Sequence, residues 1–319
     1  MSEHPRGREV ASPAARTAQL QIHACVVLWG FTAILGKLIA LPALPLVWWR
    51  MVIVTVTLAL VPRVWRAVRA MPSRLVLAYA GTGFVVGLHW LTFYGAIKLA
   101  NASVAATCIA LGPVFLALVE PLIARRRFDP SELLIGVVAV PGVALVVGAV
   151  PHGMLAGIGV GITSAALVAV FSALNKRLVE KADPLAVTAL ELGAGALLLT
   201  AIAPLAARWT GDGTGAAFVL PTARDAGLLA ILAFACTVLP FTLSLVALRH
   251  LTAFNAQLAV NLEPVYAIVI AAALLGEHHE LSARFYVGVA IILAAVVAYP
   301  LLIARSRQRE ARTPAERRR

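Results

Sequence analysis

Charged residues are scarce in this sequence. Asp, Glu, Lys and Arg make up 13% of its 319 residues, whereas soluble globular domains carry about 25%, because charge keeps their surfaces hydrated. Hydrophobic residues reach 61%, and the mean hydropathy is +0.90. This composition excludes a soluble globular protein and predicts an integral membrane protein, for which lipid is the solvent.

Regular alternation of polar and apolar residues, which is typical of membrane barrels, is lacking in the apolar runs. Each run is continuous and approaches the roughly 20 residues that a helix needs to cross a bilayer. Because backbone polar groups in lipid must be satisfied internally, these runs predict helices. We therefore expect an all-α, polytopic membrane protein with ten transmembrane helices. The expected spans are residues 20–40, 45–61, 75–97, 101–123, 130–150, 155–175, 184–206, 225–248, 252–275 and 282–303.

Cysteine is also rare. Cys25, Cys108 and Cys236 lie inside apolar runs at unrelated spacings, so neither a disulfide framework nor a metal site is expected. The loops are too short for a nucleotide-binding domain, and the glycine-rich segment 211–215 lacks the lysine of a phosphate-binding loop. We expect no cofactor, no metal and no enzymatic activity, since paired catalytic groups at helical spacing are missing from the spans.

Acidic residues are fewer than basic ones, 15 against 27, which gives a net charge of +12. If the ten spans cross the membrane one after another, 21 of the 27 basic residues lie on the side of the N-terminus. The excess of Lys and Arg on cytoplasmic loops predicts that both termini are cytoplasmic, in the plasma (inner) membrane. The charge is thus explained by the bilayer as partner, and no nucleic-acid binding is expected.

The second half of the chain repeats the first. Segment 95–115 reappears as 246–266 at a shift of 151 residues. Five spans per repeat is an odd number, so the second repeat enters the membrane from the opposite side, as in many secondary transporters. We predict an N-terminal tail at 1–19, repeats at 20–150 and 155–303, and a basic cytoplasmic tail at 304–319. The coinciding pairs are Ala96 and Ala247, Lys98 and Arg249, Ala102 and Ala253, Ala105 and Ala256, Pro113 and Pro264, and Val114 and Val265.

Five motifs carry a family resemblance, namely Trp29-Gly30 with Lys37, Pro45 with Arg50, the alanine-rich run into Pro113, Ala253 to Glu263-Pro264, and Leu274 to Glu277. With these motifs the chain resembles the drug/metabolite transporter superfamily, specifically its ten-helix EamA branch. The resemblance implies alternating access between two halves and transport of a small organic metabolite, often amino-acid-like and commonly outward. The first half has Arg126 where the second half has the acidic residue typical of such families.

Charged residues in hydrocarbon are costly, and Glu263 is predicted near the middle of the ninth span. It is a candidate for substrate or proton binding, with a structural ion pair or a protonated packing residue as alternatives. Pro264 follows it and Pro113 occupies the matching position, so a helix kink is expected at each proline. Gln257 and Asn261 share another face of the ninth span and are candidates for substrate binding or interhelical hydrogen bonds.

The third span contains His89, Trp90 and Tyr94, which suit either core packing or the wall of a substrate cavity. Lys37 and Arg50 are expected toward the outer ends of their spans. They would either extend to the interface or pair with Glu263 or an anionic substrate group.

Two further groups of acidic residues stand out. Glu191, inside the seventh span, is another site candidate. The cluster 277–280 is expected to be a solvated outer loop, because it lacks the spacing of a zinc site.

The function inferred is a secondary transporter that exports a small organic metabolite. Protons are a candidate coupling ion, and the protein is expected to be a monomer or a homodimer. Import of the same substrates, and a receptor or structural role without transport, stay open as alternatives.

Overall fold

The structure is a computed structural model that describes residues 13–124, 141–178, 181–210, 218–248 and 262–295, with the single residues 250, 259 and 298. All regular elements within these ranges are helical, so the all-α fold class is confirmed. The predicted tail at 304–319 and the candidates Gln257 and Asn261 lie outside the described residues.

The described part of the first half contains seven helices. They are α1 (Pro13–Leu38), α2 (Ala43–Ala59), α3 (Pro62–Ala70), α4 (Ser73–Leu99), α5 (Ala102–Ile109), α6 (Gly112–Ala124) and α7, of which residues 141–149 are described.

The second half follows after a 3₁₀ turn at His152–Met154. Its helices are α8 (Leu155–Leu178), α9 (Pro184–Thr210), α10 (Ala223–Ala233), α11 (Leu239–Leu248), α12 (Glu263–Leu275) and α13 (Ala283–Ala295). A π-helical turn at Phe234–Val238 joins α10 to α11.

Five helical segments in the described ranges are long and apolar enough to cross a membrane, namely those within Arg16–Leu38, Ser73–Leu99, His152–Leu178, Pro184–Leu205 and Ala223–Ser244. Two bent helix pairs, α2 with α3 and α5 with α6, raise the number to seven if each is one span. The three shorter helices α7, α12 and α13 fall in the remaining predicted spans. Every one of the ten predicted spans therefore contains helix.

Proline explains two of the breaks. The α2–α3 pair bends by 90° where Pro62 opens α3, because proline lacks an N–H and suits the first turn of a helix. The α5–α6 pair bends by 45° just before Pro113, and α12 begins at Glu263 with Pro264 in its first turn. The two equivalent prolines thus each lie in the first turn of a helix.

Helices of the two repeats are interleaved. Helix α4 packs against α8 and α9, and α1 packs against α11 and α12. The α4–α9 contact is very close, because a Cβ at Gly87 would lie 3.2 Å from Gly195 Cα, and one at Gly83 would lie 2.2 Å from the Glu191 carbonyl oxygen. Small residues allow such backbone contact between membrane helices. The two repeats therefore form one bundle.

The expectation that cluster 277–280 is solvated is wrong for Glu277. Its side chain is only 1% exposed, and its two oxygens accept hydrogen bonds from the N–H groups of Ala102 and Ser103. The first turn of a helix has N–H groups without intrahelical partners, which a carboxylate can satisfy. Glu277 is therefore a structural cap between the repeats.

Candidate functional site

Arg50 lies in the middle of α2 and is 3% exposed. The expectation that it lies toward an outer end and extends to the interface is therefore wrong. Its Nε donates to Thr237 Oγ1 at 2.8 Å, Nη1 to the Tyr94 hydroxyl at 2.8 Å, and Nη2 to the Cys236 carbonyl at 3.3 Å. Arg50 thus joins helices of both repeats at one buried cation.

The acceptors for Arg50 on the second repeat lie in a stretch of helix that is interrupted by Pro240. A proline at this position has no N–H for the carbonyl four residues earlier, which is that of Cys236. The backbone forms a π-turn at Phe234–Val238 instead, and the Thr237 hydroxyl donates to Leu232 O at 2.8 Å. The Cys236 carbonyl is therefore free to accept from Arg50, as π-turns at functional sites often allow.

Trp90 and Tyr94 lie one turn apart on α4, so their side chains share a face. The Arg50 Cζ lies 3.7 Å from the Trp90 ring centroid and 5.7 Å from that of Tyr94. A desolvated cation over an aromatic face gains about 2 kcal/mol. Gly36 of α1 leaves room for the Tyr94 ring, because a Cβ there would lie 2.4 Å from Tyr94 Cε1.

Phe241 of α11 is the centre of an aromatic cluster beside Arg50. Its ring centroid lies 6.3 Å from Trp29, 6.5 Å from Trp90 and 6.5 Å from Phe171. These residues come from α1, α4, α8 and α11, so the cluster also draws on both repeats.

Glu263 is half-buried in the first turn of α12 and interacts electrostatically with Arg50. Within the described ranges, no hydrogen bond or ion pair within 4 Å ties its carboxylate to another residue. Glu263 therefore interacts with Arg50 without a direct contact between the two side chains.

His89 has different neighbours from those of Trp90 and Tyr94. Its Nδ1 lies 3.0 Å from the carbonyl oxygen of Ser164 on α8 and 2.9 Å from Ser164 Oγ, which in turn donates to the His89 carbonyl. This reciprocal pair links α4 to α8.

Lys37 is exposed in the last turn of α1 and takes no part in the Arg50 contacts.

Sequence reasoning did not identify Phe171, Cys236, Thr237 or Phe241 as site residues, and it named Trp29 only as part of a motif. The signal that could have found Cys236, Thr237 and Phe241 is Pro240, which interrupts the predicted eighth span and marks a local break in its hydrogen bonding.

Five to seven helical segments in the described ranges are long and apolar enough to cross a bilayer, and helices of both repeats meet at one buried polar centre. These features define a polytopic helical membrane protein built from an internal repeat. The EamA-like transporter family matches the chain twice, over residues 16–148 and 155–299. The chain belongs to this family of membrane transporters, which confirms the resemblance to the EamA branch of the drug/metabolite transporters.

A solved structure, described only as the crystal structure of a protein, is similar with a TM-score of 0.60 and 17% sequence identity. The alignment covers 91% of this chain and 99% of the other. At this identity the similarity shows the fold alone. No curated protein matches the chain.

Proposed function

We propose that this transporter exports a small amino-acid-like metabolite across the plasma membrane by alternating access, with both termini in the cytoplasm. The observation that carries the proposal is Arg50, whose hydrogen-bond partners come from both repeats. A substrate bound there contacts the elements that must move relative to each other when access alternates. The count of Lys and Arg supports the orientation.

The chemistry of the site favours a substrate that carries a carboxylate. A guanidinium has five N–H donors, and the contacts within the described part of the chain use three of them. One N–H is left on each terminal nitrogen, and this pair matches the two oxygens of a carboxylate. Glu263 supplies the opposite charge that a substrate ammonium group requires.

The aromatic cluster supplies the walls. Trp29, Trp90, Phe171 and Phe241 present ring faces and edges beside the charged pair, which suits the apolar part of a small metabolite. A proton or substrate gradient supplies the energy for transport.

The test is counterflow in proteoliposomes with a panel of labelled amino acids and the corresponding amines. We expect amino acids to exchange, and the amines without a carboxylate to compete at least tenfold less well. Arg50→Lys keeps the charge but loses the paired donors, so we expect exchange to fall at least tenfold, the equivalent of about 1.4 kcal/mol.

Lys37→Gln is the matched control, because Lys37 is an exposed cation in α1 that takes no part in the Arg50 contacts. It should exchange at the wild-type rate. Wild-type exchange by Arg50→Lys, or equal competition by amines, would count against carboxylate recognition. Comparing right-side-out with inside-out vesicles distinguishes export from import.

A further inference from the structure

A second buried carboxylate lies away from Arg50. Glu191 is the eighth residue of α9, inside a candidate membrane span, and is 2% exposed. Its backbone packs against Gly83 of α4, and its side chain extends to Asn175 of α8. Glu191 therefore lies where α4 of the first repeat meets α8 and α9 of the second.

The hydrogen bonding of Glu191 and Asn175 is incomplete in a complementary way. Asn175 Nδ2 donates to Glu191 Oε2 at 3.4 Å. Glu191 Oε1 and Asn175 Oδ1 are both buried and have no hydrogen-bond partner within the described structure. Both atoms are acceptors, and buried polar atoms are normally satisfied. A proton on Oε1 turns it into a donor and completes a two-bond acid–amide pair with Asn175.

Within the described residues, no basic side chain forms a hydrogen bond or an ion pair with Glu191. From α4, the group that faces it is Tyr79, whose hydroxyl already donates to Leu178 O at 2.5 Å. On the packed helices, Arg66 and Arg69 of α3 and Arg74 of α4 are exposed, and Lys98 of α4 donates to the Ile39 carbonyl. Four further basic side chains have partners of their own. Arg63 of α3 pairs with Asp183, Lys176 of α8 with Glu120, Arg177 of α8 with the Ile123 carbonyl, and Arg50 of α2 with the acceptors given above. Helix α11 contains no charged residue.

We propose that Glu191 is a proton-binding site of the transporter and holds a proton shared with Asn175 in this conformation. An ionised carboxylate without a partner is unfavourable at a close contact between helices in the membrane. Loss of the proton therefore favours an arrangement in which α4 and α9 separate and Glu191 reaches water. The coupling of this proton to substrate transport rests on the proposed transport function, whereas proton binding itself does not.

The experiment is infrared spectroscopy of the full-length protein in lipid nanodiscs, with the proton as the only ligand. At neutral pH we expect the C=O stretch of a protonated carboxylic acid. The band should disappear in Glu191→Gln and persist in the control Glu263→Gln. Glutamine has the shape of the protonated acid and can pair with Asn175, so the variant should fold.

Asn175→Ala provides a second test that retains Glu191. Removal of the donor to Oε2 should shift the C=O band to higher frequency without abolishing it. A wild-type spectrum without the C=O band would overturn the proposal. A band that is unchanged in both Glu191→Gln and Asn175→Ala would overturn it as well. Loss of a carboxylate stretch in Glu191→Gln would equally overturn it, since that result means an ionised Glu191. None of these readouts requires a transported substrate, so a failure of the proposed transport function is distinguishable from a failure of the proton-binding proposal.

Discussion

Glu277 of the second repeat caps α5 of the first repeat at Ala102. Its Oε1 lies 2.9 Å from the Ala102 nitrogen, and its Oε2 lies 2.8 Å from the Ser103 nitrogen. The next N–H group, that of Val104, donates to the side chain of Asn101 at 2.9 Å. The first turn of α5 is thus satisfied by one residue of its own repeat and one of the other.

Glu277→Gln should destabilise the protein. An amide has one acceptor oxygen, so one of the two N–H groups loses its partner and the charge that favours the helix N-terminus is lost. We expect a loss of about 1–3 kcal/mol, measured as a lower Tm in detergent. The control is Glu280→Gln, because Glu280 is exposed and makes a single bond to Asn101. Equal Tm values for the two variants would contradict the capping role.

Pro240→Ala should separate stability from transport. The restored N–H can bond to the Cys236 carbonyl, which removes the π-turn and withdraws an acceptor from Arg50. We expect an unchanged or higher Tm together with at least tenfold slower counterflow, equivalent to about 1.4 kcal/mol. Pro204→Ala is the matched control, since Pro204 lies inside α9 with its side chain exposed to the surroundings. If Pro240→Ala transports as Pro204→Ala does, the π-turn is not needed.

Gly36→Ala should displace the Tyr94 ring. The added Cβ would come within 2.4 Å of Cε1, so the ring must move and its hydrogen bond to Arg50 weakens. We expect a loss of transport with a Tm decrease of at least that caused by Tyr94→Phe. Gly159→Ala is the control, because nothing lies within 4 Å of a Cβ at that position. Wild-type counterflow in Gly36→Ala would show that the position of the ring is unimportant.

Asp183 should matter more for stability than its ion-pair partner Arg63. Asp183 directly precedes α9, and its Oδ1 accepts from the N–H of Leu185 at 3.0 Å, while its Oδ2 pairs with Arg63 at 2.6 Å. Arg63 is 68% exposed, so Arg63→Ala should cost less than about 1 kcal/mol. Asp183→Ala also removes a helix cap and should cost about 1–2 kcal/mol.

Asp183→Asn distinguishes the two contributions, since asparagine keeps the capping oxygen and loses the charge. Its Tm should resemble that of Arg63→Ala. A Tm as low as that of Asp183→Ala would mean that the ion pair, and not the cap, dominates.

The fold was predictable because hydropathy reports directly on contact with lipid. Ten apolar runs and the repeated proline predict the bundle and its two halves. The depth of a polar side chain within the bundle and the identity of its partners were less predictable. The position of Arg50 along its span suggests a place near the membrane interface. Its long side chain points into the bundle, however, where it is surrounded by helices distant in sequence.

The candidate site was predictable only in part for the same reason. Arg50, Trp90 and Tyr94 were named from the sequence, and the structure brings them together. The acceptors at Cys236 and Thr237 depend on a backbone irregularity, which residue types alone do not display. The burial of Glu277 depends on a neighbouring helix end, and hydropathy carries no information about such a neighbour.

The glycine contact between α4 and α9 has a mechanical consequence. Where Gly87 approaches Gly195, the two helices touch through main-chain atoms, so neither residue places a side chain between the two backbones at this point. For the alternating access that we propose, this close contact is a point about which one half of the bundle can rock against the other.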